Sequence, residues 1–249
     1  MRRAGKGNAF VQSERWKTLL FSVGILLLFV FATAIMVYNR HSEEESAAVA
    51  RLEAPPEPIL VLDPGHGGLD GGATTSDGVR ESQINLEIAL RTENLAKLAG
   101  IRTLMTRREE ELLYPPEAST VHEKKVWDQK SRVELINGAP GAVLISIHQN
   151  RYPDSRPSGS QVLYARTAGS QELGELLHDN LITCLCPENR RVASPVQDSI
   201  YLMKQMKCPA ILVECGFLSN AAEAQKLQGS NYQISLATVI VASYLQFLE

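Results

Sequence analysis

Three apolar runs in this sequence each end in an ionisable side chain. Ile59-Leu60-Val61-Leu62 leads into Asp63 and, through Pro64-Gly65, into His66. Ala142 to Ile147 leads into His148, and Ala210 to Val213 leads into Glu214. Two histidines and a carboxylate with one open position form the ligand set of a catalytic zinc, whose water ionises near neutral pH to attack a polarised carbonyl. Glu81 and Glu214 compete for the carboxylate place, and the residue types alone leave open which binds metal and which moves protons. Asp63 reads as a loop pin that accepts backbone N–H groups, as Asp does in turns. Other chemistry is poorly served. No G-x-S-x-G elbow, Walker loop or H-E-x-x-H pair occurs. Gly65-His66-Gly67-Gly68 is followed by more loop, not by the helix start that a phosphate cradle needs.

These residues meet only if the chain brings the three runs together. In open α/β sheets, ligands bind outside the carboxyl ends of parallel strands, so the runs are expected as parallel neighbours. Residues 83–99 place Ile84, Ile88, Leu95 and Leu98 at the spacing of one helical face. Ile101 to Met105 reads as a strand and 128–137 as a short helix. Gln161 to Tyr164, a helix over 170–184, a short run from Ser199 to Met203 and a closing helix near 231–248 follow. The polar stretch from Arg107 to Lys130, marked by Pro115-Pro116, interrupts the pattern as a loop. The expected fold is α/β: one domain over 59–249 with a mixed, mostly parallel sheet flanked by helices, preceded by one transmembrane helix.

Composition agrees. The 249 residues are 44% hydrophobic and 21% charged, which excludes a collagen, a coiled coil, a disulfide-dense mini-protein and a disordered chain. The net charge of −3 is uneven: Arg2, Arg3, Lys6, Arg15 and Lys17 against Glu14 give +4 before residue 39, leaving −7 for the rest. So acidic a body is a poor grip for nucleic acid. Thr18 to Tyr38 carries no charge in 21 positions, enough helix to cross about 30 Å of hydrocarbon. The basic segment 1–17 should stay in the cytoplasm and the remainder be exported. Ala32-Thr33-Ala34 offers a signal-cleavage pattern, but the apolar run continues through Ile35, Met36 and Val37, which favours an uncleaved single-pass anchor. Residues 39–58, rich in Ala, Glu and Pro, read as a linker. Cys184 and Cys186 are too close for a typical zinc pair. Cys208 and Cys215 flank a strand and cannot bridge each other. A link from 184 or 186 to one of them stands beside four unpaired thiols.

Four motifs then resemble, in order, the zinc-dependent N-acetylmuramoyl-L-alanine amidases, across essentially all of residues 59–248. They are Ile59-Leu-Val-Leu-Asp-Pro-Gly-His-Gly-Gly68, Glu81 with Asn85-Leu86, Ser146-Ile-His-Gln-Asn150, and Val213-Glu-Cys-Gly-Phe-Leu-Ser-Asn220. Arg132-Val-Glu-Leu-Ile-Asn137 and the polar stretch before it are more similar to the membrane-anchored, germination-specific branch of spore formers. The resemblance implies Zn2+ as cofactor, His66, Glu81 and His148 as its ligands, and Glu214 as the catalytic glutamate. It implies peptidoglycan as substrate, cut between the lactyl group of N-acetylmuramic acid and L-alanine. For the germination branch it implies muramic-δ-lactam formation in the spore cortex, with a deacetylase or an activating partner in the same pathway. The catalytic domain would then lie outside the cytoplasm, in the wall or the intermembrane space of a forespore. Gln149 stands where many relatives carry a small residue; it and Asn150 are the expected substrate contacts. No wall-binding module is read in the chain, so targeting would fall to the anchor and the domain's own groove. Two other classes compete: a non-catalytic peptidoglycan-binding or regulatory protein, and a zinc carboxypeptidase acting on stem peptides.

Overall fold

The computed structural model describes residues 7–53 and 56–249. The chain divides into two units at Pro55/Pro56. In the first, α1 (Gly7–Glu53) is one continuous helix. Leu19–Glu45 within it is long and apolar enough to cross a membrane, and none of its most apolar window is buried. The expected linker is therefore helical as far as Glu53. Glu43–Glu45, Ala47, Ala48, Ala50, Arg51 and Leu52 are strong helix formers. Of the basic segment, Arg2, Arg3 and Lys6 lie outside the described residues, as do Ala54 and Pro55 of the linker.

The second unit is built on a six-stranded sheet in the order β2-β1-β3-β6-β4-β5. Its strands are β1 (Ile59–Pro64), β2 (Thr103–Met105), β3 (Ala142–Asn150), β4 (Gln161–Tyr164), β5 (Ser194–Pro195) and β6 (Ala210–Phe217). β1 pairs in parallel with β2 and β3, and β3 with β6. β4 runs antiparallel to β6 and carries β5 parallel on its outer edge. The sheet is thus mixed and mostly parallel, and the three runs with ionisable ends are adjacent and co-directional.

Both faces of the sheet are covered, and strand alternation decides which residue serves which face. Leu60, Leu62, Val143, Ile145, Ile147, Ile211 and Val213 pack with α2 (Glu81–Leu98), α4 (Ser170–Leu185), α6 (Ala221–Gln228) and α7 (Ser230–Phe247). Val61, Ala142, Leu144, Ala210 and Leu212 pack on the opposite face with Ile136 of α3 (Val121–Asn137) and Leu202 and Met203 of α5 (Tyr201–Lys204). Each fully buried Leu or Ile stabilises the fold by about 1.5–3 kcal/mol.

Several elements differ from the pattern reading. β2 begins at Thr103, not Ile101. α3 starts at Val121, not 128, because Thr120 and Glu123 form a reciprocal capping box. The Ser199 to Met203 run becomes the single turn of α5. α6, capped by the Asn220 side chain, and the two-residue β5 carry too little periodicity to announce themselves. All four cysteines are free thiols.

Candidate metal centre

The site grows from the carboxyl ends of β1, β3 and β6. Residues 61, 63, 144, 146, 148, 212 and 214 share the α3 face of the sheet, so Asp63 pairs in register with Ser146 and His148 with Glu214. Glu81, the first residue of α2, enters from the other layer; its Oε2 accepts from Ala73 N–H at 2.8 Å. Its Oε1 lies 3.3 Å from His66 Nε2 and 3.1 Å from His148 Nδ1. The ligand atoms of His66, Glu81 and His148 all fall within 4.8 Å of one another. A tetrahedral zinc with bonds of 2.0–2.1 Å sets its ligand atoms about 3.3 Å apart. The donor set and its spacing fit such an ion.

Electrostatics point the same way. Burial alone would raise the Glu81 carboxyl, but hydrogen bonds and charge from His148 and His66 outweigh it and hold the group well below the usual range. For His66, burial would lower the pKa, yet Asp70 and Glu81 raise it to about 9. The pocket is therefore built to hold positive charge. Glu214 behaves oppositely. Burial pushes it up to about 7, with Glu81 adding to the shift and the two histidines opposing it. Its Oε2 is buried without a hydrogen-bond partner. A carboxylate that titrates near neutrality beside two histidines is suited to taking and returning a proton.

The loop that carries His66 is held under strain. His66 has φ 60°, the left-handed region, and is the only non-glycine residue with positive φ among the described residues. Such a conformation costs on the order of 1–3 kcal/mol and persists only where surrounding bonds over-determine it. Two buried arginines supply those bonds. Arg107 donates to the carbonyls of Pro64 (2.9 Å), Gly65 (3.0 Å) and Ser82 (2.7 Å). Arg132 donates to those of Pro64 (2.9 Å) and His66 (2.6 Å). Three successive carbonyls are thereby clamped. Gly65 is required here, because a Cβ would overlap the His148 ring.

Asp63 corrects its expected role. It accepts from side chains, not from loop N–H groups: Ser146 Oγ and Thr106 Oγ1 at 2.6 Å each, and Arg132 Nη1 at 2.7 Å. Burial would raise its carboxyl, but Arg132 and the two hydroxyls bring it down to about 2. Asp63 thus anchors Arg132, which in turn holds the His66 carbonyl.

Gln149, expected as a substrate contact, is buried. Its odd position on β3 turns the side chain to the α2 face, where it is 3% exposed. Its Nε2 donates to Asn85 Oδ1 at 3.1 Å, and its backbone N–H donates to Glu81 Oε1. Asn85 Nδ2 reaches Gly65 O and Glu81 Oε1. Gln149 therefore packs beneath Glu81, on the face of β3 away from His148. Neither it nor Asn150, whose carbonyl accepts from Leu218 N–H, lines the groove. That groove, about 310 Å³, opens beside His66, His148 and Glu214, with Tyr114, Lys125 and Tyr201 on its walls. The polar stretch read as an interruption thus supplies Arg107, Tyr114 and Lys125 to the site. Only the Thr120-x-x-Glu123 capping signature announced any of this in sequence.

A family model described as N-acetylmuramoyl-L-alanine amidase matches residues 60–245. The germination-specific N-acetylmuramoyl-L-alanine amidase of Bacillus subtilis is 35% identical over 236 residues, covering 94% of this chain and 95% of that protein. The CwlD amidase of Clostridioides difficile, solved in complex with the GerS lipoprotein, superposes with a TM-score of 0.74 at 33% identity, over 77% of this chain and 98% of that one. An N-acetylmuramoyl-L-alanine amidase from Clostridium difficile 630 gives a TM-score of 0.66 at 28% identity, over 77% and 96%.

Proposed function

This chain belongs to the N-acetylmuramoyl-L-alanine amidase family and is a peptidoglycan amidase; on that premise we propose that residues 59–249 form a zinc-dependent catalytic domain. In it His66, Glu81 and His148 hold the metal and Glu214 moves the protons. One observation carries the reading: three donor atoms at metal-ligand spacing beside a carboxylate oxygen with no partner. Zinc, when bound, supplies Lewis acidity toward the scissile carbonyl and toward water. The rest falls to the chain's own side chains. Glu214 Oε2 accepts a proton from the attacking water and returns one to the departing amine of L-alanine. Arg107, Arg132 and Asp63 keep His66 in place, and Gln149 and Asn85 keep Glu81 in place, so the donors need little rearrangement on binding.

The similarity to the germination-specific amidase supports a role in spore germination and cortex maturation; in this reading removal of the stem peptide prepares muramic acid for δ-lactam formation, with a deacetylase as the next enzyme. The relative solved in complex with a lipoprotein supports a lipoprotein partner for this chain. The apolar span of α1 supports a single-pass anchor at residues 18–38, with the helix to Glu53 as spacer and the catalytic domain outside the cytoplasm. Digestion of purified sacculi with mass analysis of the products tests the activity. Free stem peptides beginning with L-alanine, lost on chelation and restored by zinc, are expected. Release of only a terminal amino acid would identify a carboxypeptidase, and no product would indicate a binding protein. Full zinc occupancy in a His66→Ala, His148→Ala double variant would overturn the ligand assignment.

A further inference from the structure

Asp70 stands behind the donor triangle. Its Oδ2 lies 3.2 Å from His66 Nδ1, while the other ring nitrogen, Nε2, faces Glu81. An ionised carboxylate can only accept, so Nδ1 carries the N–H toward Asp70, and in the neutral ring that a metal ligand must be, the lone pair then falls on Nε2, on the Glu81 side. The second oxygen of Asp70 is also engaged: Oδ1 accepts from Gly72 N–H at 3.3 Å and pairs with Lys125 Nζ at 3.1 Å. The turn that makes this possible is closed by an exchange of backbone bonds, Gly67 N–H to Asp70 O at 2.8 Å and Asp70 N–H to Gly67 O at 3.0 Å. That exchange folds the carboxylate back over the imidazole four residues earlier. Lys125, for its part, belongs to α3 and lines the groove beside Glu214.

We infer that Asp70 is a positioning residue of the centre: it holds the His66 ring in the tautomer and orientation that present Nε2 to the metal, and Lys125 ties it to the groove wall. This rests on the reading of His66 as a ligand. The reason for expecting an effect is general. A ligating histidine whose other nitrogen is held by a carboxylate is pre-oriented and more basic, and loss of such a partner costs about 10–100-fold in metal affinity. Asp70 is a half-buried loop residue, with 30% of its side chain exposed, so substitution leaves the core intact.

The test measures zinc affinity of the full chain in detergent by competition with a chromophoric chelator. Melting of the metal-stripped protein is measured beside it, together with the visible spectrum of the cobalt-loaded form. Asp70→Asn and Asp70→Ala should weaken zinc binding about 10–100-fold and alter the cobalt spectrum, in a metal-free protein that still folds and melts cooperatively. Lys125→Met, which removes only the tether, should weaken it less than Asp70→Ala does. His66→Ala serves as the reference. If it retains zinc, the ligand reading itself fails. If it loses zinc while Asp70→Ala keeps wild-type affinity and spectrum, the positioning role is overturned. A drop in metal-free melting with unchanged affinity would likewise reduce Asp70 to a loop support and overturn the inference.

Discussion

Replacing Glu214 by Gln should slow hydrolysis at least about a hundredfold and at the same time stabilise the metal-free protein. Both effects arise from one environment. Glu214 ends an apolar strand opposite His148, with Oε2 buried and unpartnered. Burial, helped by Glu81 and opposed by the histidines, lifts its carboxyl from 4.5 to about 7. The unfolded chain therefore ionises at a lower pH than the folded one. Between about pH 4.5 and 7 folding grows steadily costlier, and above 7 the cost stays constant at about 3 kcal/mol. Gln is neutral at every pH and removes that cost, less whatever its amide loses by lacking partners. Melting of the metal-stripped variant should exceed wild type by several degrees at pH 8 and match it at pH 4, since about 1 kcal/mol moves Tm by roughly 2–4 °C in a domain of this size. For turnover, loss of a general base worth about 10²–10⁴ raises the barrier by roughly 3–5 kcal/mol. Zinc content should be unchanged. The assay is calorimetry at the two pH values, metal analysis, and turnover on sacculi. A folded variant with near-wild-type turnover would remove Glu214 from the mechanism. An equal gain in Tm at pH 4 and pH 8 would refute the electrostatic part.

Three further outcomes are expected. Asp63 is held at about 2 against an ordinary 3.8, so its contribution is complete above pH 4 and lost as pH falls toward 2; the stability gap between wild type and Asp63→Asn, read from urea midpoints, should shrink by about 2 kcal/mol over that range. Gly65→Ala places a Cβ in the His148 ring; it should abolish zinc binding by displacing that ligand, and wild-type zinc affinity would contradict the geometry. Protease added to intact protoplasts should degrade residues 59–249 if α1 is an anchor with the basic end inside; survival of the catalytic domain would reverse the topology.

The sequence by itself determined the sheet's centre and the chemistry it ends in. Ile59–Leu62, Ala142–Ile147 and Ala210–Val213 are apolar on both alternating faces but for Ser146, as suits a strand covered on both sides, and each stops at the residue where the site begins. Motif order then implied His66, Glu81 and His148 as one set, and the structure brings those three together. What it did not contain was the support. Asp63, Arg107 and Arg132 are spread over 70 positions, and nothing local marks a polar residue as buried. Arg107 looks like a solvated charge in a polar stretch and Arg132 like one on a short helix, yet they hold the carbonyls of residues 64 to 66 and keep His66 in left-handed backbone. Gln149 looked like a rim residue because it adjoins His148. The two-residue period of β3 turns it instead to the α2 face, beneath Glu81. Residue types supplied the candidate ligands but left Glu81 and Glu214 open, and only the family resemblance chose between them. The orientation of those ligands depends on hydrogen bonds between residues far apart in sequence, which exist only once strands and helices have packed.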